Sequence, residues 1–429
     1  MQEPDDRTHR AIDVVWRIES ARLIAGLTRF TRDLGLAEEL AQDALLAALE
    51  QWPTEGVPSK PGAWLMAVAK RRAIDQFRRR ERLEAKSAEL GRDLETEPSG
   101  TRDLADEVAD HDDIGDDLLR LVFTACHPVL STEARAALAL RVLGALTTAE
   151  IARAFLVPES TMAQRIVRAK KALQRAGVRF EVPAGDELRE RLPSVLEVVY
   201  LIFNEGYSAT AGDDVLRPEL CADALRLGRV VAELLPREPE VHGLVALMEI
   251  QASRIGARVD ATGAPVLLLD QNRSRWDRLL IGRGLAALAR AENLTSRLGP
   301  YGLQAAIAAC HARALTAEQT DWTRIAALYT VLVVVAPSPV VALNRAVALA
   351  MAFGPQVGLA AVDELSDEPA LAGYHWLPSV RGDLLMRLGR LDEARQELER
   401  AAGLTRNDRE RAQLTERARQ AAGGAGFVT

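Results

Sequence analysis

The spacing of apolar side chains is the feature that most restricts this chain. Across residues 36–52, LAEELAQDALLAALEQW, apolar positions fall at Leu36, Leu40, Ala44, Ala47, Ala48 and Trp52, a stripe along one side of a helix with polar residues opposite. The same helical rhythm dominates the rest of the chain. Alternating β-branched runs bounded by turn pairs are almost absent, and the one β-like run, VLVVV at 331–335, sits in a helical context. The expected fold class is all-α.

Charge divides the chain. Fifty-four basic and 61 acidic side chains leave a net −7, which alone argues against coating nucleic acid by bulk positive charge. The distribution reverses that inference. Residues 60–82 carry 8 basic and 2 acidic groups, and residues 160–180 carry 6 basic and none acidic. Between them, residues 83–120 carry 4 basic and 13 acidic groups. Two cationic blocks thus flank an acidic stretch that reads as a solvated linker over 83–112. A second boundary falls near 179–193, where VRFEVPAGDELRERLP combines Pro, Gly and a charge change. The expected domains are therefore 8–82, 113–178 and a large region at 186–429.

In the first block, PTEGVPSKPG at 53–62 interrupts the helix, which resumes as AWLMAVAKRRAIDQFRRRERL. Trp64, Leu65, Val68, Ile74 and Phe77 form one side, and Lys70, Arg71, Arg72, Arg78, Arg79 and Arg80 supply the charge. A basic helix with nearby aromatics suits phosphate contacts and base stacking, although a solvated helix end has the same composition. In the second block, Ser131 is expected to start a helix and Thr148 to cap a short one, AEIARAF. Leu156-Val157-Pro158 makes a turn, and Glu159 or Ser160 opens a longer helix. This is the layout of a helix-turn-helix, the alternative being a helical hairpin with a basic surface. Met162, Ile166, Ala169 and Leu173 would face the core. Ser160, Thr161, Gln164, Arg165 and Arg168 would project outward toward base edges, with Lys170, Lys171 and Arg175 placed for phosphates.

The last 240 or so residues must form a domain. RGDLLMRLGRLDEARQELERA from Arg381 places Gly382, Leu385, Gly389, Ala394, Leu398 and Ala401 on the small and apolar positions of a tetratricopeptide repeat, with a looser copy from Leu343. Gly354 and Gly389, 35 residues apart, match the period. An α-solenoid whose concave face takes a protein or peptide is expected. In YLIFNEGYSAT at 200–210, Asn204-Glu205-Gly206 is read as breaking an apolar helix, leaving either a contact surface or a packed helix end.

Other chemistry is sparse. Three scattered cysteines cannot make a disulfide framework. Cys126-His127 and Cys310-His311 are adjacent pairs, unlike spaced zinc ligands, so no metal and no cofactor are expected. No P-loop, dinucleotide fingerprint, HExxH or GxSxG occurs, so no catalytic residue is assigned and the chain is not expected to be an enzyme. The longest apolar run, Ile325 to Ala336, falls short of the roughly 20 residues that span a bilayer. A cytoplasmic protein without membrane contact is expected.

Together the two blocks resemble regions 2 and 4 of the extracytoplasmic-function (ECF) sigma factors of the sigma-70 family. Residues 36–82 resemble region 2 and residues 121–175 resemble region 4. AEELAQDALLAALEQW looks like the helix that family members dock on the clamp of the polymerase β′ subunit. The resemblance therefore implies core RNA polymerase, its β′ clamp and β subunit, as a partner through Glu38, Glu39, Gln42 and Asp43. WLMAVAKRRAIDQFRRR looks like the segment that melts and reads the −10 promoter element, implying roles for Trp64, Lys70, Arg71, Arg72, Asp75, Arg78 and Arg79. LTTAEIARAFLVPESTMAQRIVRAKKAL looks like the reader of the −35 element, implying roles for Ser160, Thr161, Gln164, Arg165, Arg168 and Lys171. Arg71 stands where many relatives carry Asn, and Met162 replaces the usual Val. FTACHPVL at 123–130 and YLIFNEGYSAT further resemble a subgroup with a long tetratricopeptide-like extension, expected to modulate activity through an intramolecular or protein partner. The resemblance implies a sigma factor that directs core polymerase to promoter DNA. A helix-turn-helix regulator with a solenoid sensor is the alternative, and it leaves the first block unexplained.

Overall fold

In the computed structural model, which describes residues 3–90, 114–155, 157–207, 218–260, 266–405 and 408–422, the secondary structure is helical and no strand occurs among the described residues. The acidic stretch from 91 to 112, Leu156 of the turn, and Ser208 to Thr210 of the YLIFNEGYSAT segment lie outside them. The chain divides into two compact units, Met1–Leu201 and Ile202–Thr429.

The first unit begins with α1 (Glu3–Thr31), α2 (Leu34–Glu55) and α3 (Pro61–Leu90), which pack against one another. Asp33 separates the first two, its Oδ1 accepting from the backbone N–H groups of Gly35 (2.7 Å) and Leu36 (3.1 Å), so the new helix starts with its free donors satisfied. Gly56, at φ 84°, ends α2 in a backbone region that favours glycine, and its N–H bonds Trp52 O at 2.9 Å. Helix α3 runs to Leu90, so the first residues of the expected linker are helical.

The second block holds α4 (Ile114–Ala125), α5 (Thr132–Val142), α6 (Thr148–Ala154) and α7 (Glu159–Arg175), with α5 and α6 both packed on α7. Ser131 caps α5 as expected. Thr147, and not Thr148, caps α6. Its hydroxyl accepts from Glu150 N, and the Glu150 carboxylate accepts from Thr147 N at 2.7 Å. The reciprocal pair requires an acid three residues after the cap, and only Thr147 has one. Met162, Ile166, Ala169 and Leu173 are all buried, as the spacing predicts.

Helix α8 (Asp186–Tyr207) begins at the sequence boundary, yet its first half packs into the first unit. Arg191 donates to Phe123 O at 2.9 Å, and Ser194 donates to Cys126 O at 2.6 Å. Arg135 of α5 meets both Ser194 and Glu197. The apolar run therefore seats the 123–130 segment before it enters the second unit. Asn204-Glu205-Gly206 does not break it. A glycine costs a helix about 1 kcal/mol, and the burial of Ile202 and Phe203 in the turn just before it outweighs this.

In the second unit follow α9 (Pro218–Leu234), α10 (Pro239–Ala252), α11 (Arg278–Leu294), α12 (Pro300–Arg313), α13 (Trp322–Val335) and α14 (Pro339–Phe353). Then come α15 (Pro355–Asp363), α16 (Trp376–Arg387), α17 (Leu391–Leu404) and α18 (Asp408–Ala422). From α9 onward most helices pack chiefly on their chain neighbours, while α12 packs chiefly on α10, the pattern of stacked helix pairs. Gly354 (φ 99°) and Gly389 (φ 73°) occupy the turns between α14 and α15 and between α16 and α17, the equivalent places their spacing implied. Gly382 leaves room for Leu398, where an added Cβ would lie 2.9 Å from Leu398 Cγ. Upstream of these two repeats, buried polar links join the helices. Glu240 on α10 accepts from Tyr301 N and Gly302 N at the start of α12. Arg273 donates to the carbonyls of His311 and Ala314 and to the Thr320 hydroxyl. Tyr207 ends α8 stacked on Phe203, with the Arg258 guanidinium 3.8 Å from its ring centre.

Candidate nucleic-acid interface

The outward face of α7 is built by elimination. Its apolar row is sealed against α5 and α6, so Ser160, Thr161, Gln164 and Arg168 project into solvent, with Arg165 half-exposed beside them. Thr161, Gln164, Arg165 and Arg168 line a shallow groove with Val129, Leu130, Ser131 and Ala134, a concave basic surface at the front of the second block. Lys171 does not join this row. It lies a full two turns beyond Gln164 toward the C-terminal half of α7 and lines a different groove with Asp33, Glu39, Gln76, Phe77 and Arg80.

On α3 the structure sorts the basic residues. Trp64, Arg71, Asp75 and Arg78 are spaced 7, 4 and 3 residues apart, which stacks them along one face, with Arg79 beside them. Arg71, Asp75, Arg78 and Arg79 are exposed, while Trp64 is half-buried, edge-on to the buried Trp52 with ring centres 5.3 Å apart. Lys70 and Arg72 point elsewhere. Lys70 lies over the Phe30 ring, 5.9 Å from its centre. Arg72 donates to the Asp43 carbonyl at 2.9 Å and meets the Asp43 carboxylate at 3.3 Å, joining α3 to α2.

The four acidic and amide positions on α2 also separate. Glu39 is exposed, whereas Gln42 and Asp43 are half-buried. Glu38 is only 6% exposed, and its carboxylate is held by Arg141 Nε (2.5 Å) and Lys170 Nζ (2.9 Å). Burial pushes the Glu38 carboxyl up, but the charges and hydrogen bonds of Lys170 and Arg141 outweigh it and hold the group below its ordinary range. Leu46 was missed. It is 56% exposed, lies seven residues after Glu39 on the same face, and places an apolar patch in the middle of it. An apolar residue interrupting a polar helix face was the available signal.

No metal cluster occurs among the described residues. All three cysteines are buried, and burial raises the Cys126 thiol to about 12. None of the helices described is long and apolar enough to cross a membrane.

Comparison with known proteins bears on both blocks. Residues 18–83 match the family model for sigma-70 region 2, and residues 120–173 match that for sigma-70 region 4. Residues 191–292 match a family of unknown function, DUF6596. The ECF RNA polymerase sigma factor SigK of Mycobacterium ulcerans (strain Agy99) is 30% identical over 158 residues, 36% of this chain and 78% of that protein. An uncharacterized protein, R00370, of Rhizobium meliloti (strain 1021) is 45% identical over 404 residues, 94% of each chain. Among solved structures, yeast Tom70 aligns over 98% of this chain and 85% of its own at 11% identity, with a TM-score of 0.30, too low for a shared fold.

Proposed function

Because this chain belongs to the ECF sigma factors of the sigma-70 family, we propose that α7 reads the −35 element, the exposed face of α3 captures the −10 element, and the exposed face of α2 docks core polymerase. A sigma factor performs no bond chemistry. It lends sequence preference to a polymerase that has none, so its residues act by binding and by stabilising opened DNA. Thr161, Gln164, Arg165 and Arg168 are the base-edge and phosphate contacts in the major groove. Arg71, Arg78 and Arg79 hold the backbone of the separated strand, and Trp64 offers a stacking surface whose contact with bases offsets the cost of unpairing. Glu39, Leu46 and the solvent-facing part of Gln42 form the docking face toward the β′ clamp, with the β subunit as a further contact. The work takes place in the cytoplasm, with polymerase. The second unit modulates promoter use through a protein or intramolecular partner.

The observation that carries this reading is the two-sided character of α7, four buried apolar residues on one side and a basic polar row on the other. Reconstitution tests it. Purified protein plus core polymerase should start transcription on its own promoter without another sigma factor, and Arg165→Ala should reduce dependence on the −35 sequence. Duplex binding without core polymerase binding would instead favour the helix-turn-helix regulator.

A further inference from the structure

In the second unit, the end of α8, the turn after α10 and the turn ahead of α11 gather three arginines around two aromatic rings. The Arg258 guanidinium lies 3.8 Å from the centre of the Tyr207 ring, and the Arg254 guanidinium lies 6.0 Å from it. Arg254 also lies 5.7 Å from the centre of the Trp276 ring, with Arg273 at 5.2 Å from the same ring. Among the described residues no carboxylate forms an ion pair with any of the three. Glu249, near the end of α10, pairs with Arg229 instead, at 2.7 Å. The arginines donate to neutral oxygens: Arg254 to the Tyr207 hydroxyl at 2.9 Å, Arg258 to the Tyr207 carbonyl, and Arg273 to two carbonyls and the Thr320 hydroxyl.

A ring face offsets only part of the cost of taking a cation out of water, so this cluster carries uncompensated positive charge. Burial lowers the pKa of Arg254 and Arg273. Tyr207 and the exposed Glu318 act the other way, and a neighbouring guanidinium adds to the lowering in each case. Trp276 is 3% and Arg273 5% exposed, and the Nε atoms of Arg254 and Arg273 and the Nε1 of Trp276 are buried donors without an acceptor. His311, in the field of Arg254 and Arg273, stays neutral and adds no fourth charge. What these groups have in common is an unmet demand for an acceptor that carries negative charge. The cluster also opens to solvent. Arg254 and Arg258 are half-exposed, and at the exposed Gly256 between them an added Cβ would meet nothing within 4 Å.

We propose that Arg254, Arg258, Arg273 and Trp276 form a binding site for a small, multiply charged oxyanion, a phosphate or a polycarboxylate. The planar guanidinium fork matches both groups, because each offers paired oxygens at the right spacing. Arg254 and Arg258 take the anion at the open side, and the Trp276 N–H and Arg273 Nε meet it from within. Duplex DNA is excluded as the ligand, since its backbone cannot reach donors this deeply placed. The anion would tie the end of α8 to the end of α10 and to the turn ahead of α11, giving the second unit a soluble ligand of its own. None of these residues is assigned to promoter or polymerase, so the site stands apart from the sigma factor reading.

The test titrates the full chain with pyrophosphate and, separately, with citrate, against sodium chloride of matched ionic strength, by calorimetry and thermal melts. At least one anion should bind saturably and raise the melting temperature beyond the chloride control. Tighter binding of pyrophosphate would assign the site to a phosphate, and tighter binding of citrate to a carboxylate. Arg258→Gln should weaken that binding about tenfold or more and remove the melting shift. Arg258→Lys keeps the charge and loses the fork, so it should weaken binding less, and it serves as the test if Arg258→Gln does not fold. Arg165→Ala, in the first unit, should leave the binding unchanged. Two results overturn the site: no saturable binding of either anion, or binding that responds to Arg165→Ala and to neither Arg258 variant.

Discussion

The Glu38 carboxylate of α2 accepts from Lys170 Nζ of α7 at 2.9 Å, although 132 residues separate the two in the chain. The contact converts a residue that local pattern assigns to a polar helix surface into a buried one. Glu38→Gln keeps the shape and removes the charge, leaving Arg141 and Lys170 facing each other without an anion. It should destabilise the first unit by about 2–4 kcal/mol, read from urea unfolding. A double-mutant cycle with Lys170→Gln should return a coupling above about 0.5 kcal/mol, and additivity would mean the pair contributes nothing.

The same carboxylate predicts an acid limit. Its pKa is depressed on folding, so its contribution is full above the unfolded value and is lost as pH falls through the folded one. The contact between the blocks should persist through neutral and mildly acidic solution and weaken only below the ordinary glutamate range. Glu38→Gln should remove that transition from a distance measurement across pH.

His311 predicts a different window. Burial, followed by the nearby charges of Arg254 and Arg273, lowers its pKa from 6.5 to about 3, and its ring lies edge-on to Trp322 at 5.1 Å. The unfolded chain takes up the proton first as pH falls. The second unit should therefore lose stability from pH 6.5 down to about 3, by about 1.4 kcal/mol per pH unit from this one residue. His311→Phe should flatten that slope in thermal melts, while the backbone carbonyl that binds Arg273 remains.

Arg165 and Lys171 should fail in different ways. Arg165→Ala should cost about 1–3 kcal/mol and relax preference at −35 positions, whereas Lys171→Ala should weaken binding evenly across sequences and lower the salt slope by about 1. Binding to a set of single-base promoter variants at two salt concentrations separates the two.

Arg72 and Arg78 should also differ. Arg72 is committed to Asp43, in a half-exposed pair worth about 0–1 kcal/mol, and Arg78 is free on the exposed face of α3. Permanganate footprinting of the opened promoter should show a loss with Arg78→Ala and a much smaller one with Arg72→Ala.

A chain ending at residue 183 should be less stable than one ending at Leu201. The shorter chain removes Arg191 and Ser194, leaving the Phe123 and Cys126 carbonyls without these buried donors. Equal melting temperatures for the two would show that the first half of α8 is not part of the first unit.

Much of this was legible locally. The buried row Met162, Ile166, Ala169 and Leu173 follows from a 3.6-residue period, and the turns at Gly354 and Gly389 follow from backbone freedom and spacing. The cap at Thr147 was misplaced by one residue because several hydroxyls were available and only the reciprocal bond with Glu150 selects among them. The extension of α8 through Gly206 was missed because a glycine penalty is local, while the burial that overcomes it is not.

By itself, then, the sequence determined the helices, the two cationic blocks and the family pattern they carry, all set by periodicity and side-chain chemistry over a few turns. Tertiary structure decided how those charges are spent. It left Arg78 on the surface, tied Arg72 to Asp43, placed Lys171 in a groove with Asp33 and Glu39, and buried Glu38 between Arg141 and Lys170. The reason is that a charged side chain is placed by the free energy of its partner and its loss of water, and those partners lie up to 132 residues away, beyond any local pattern.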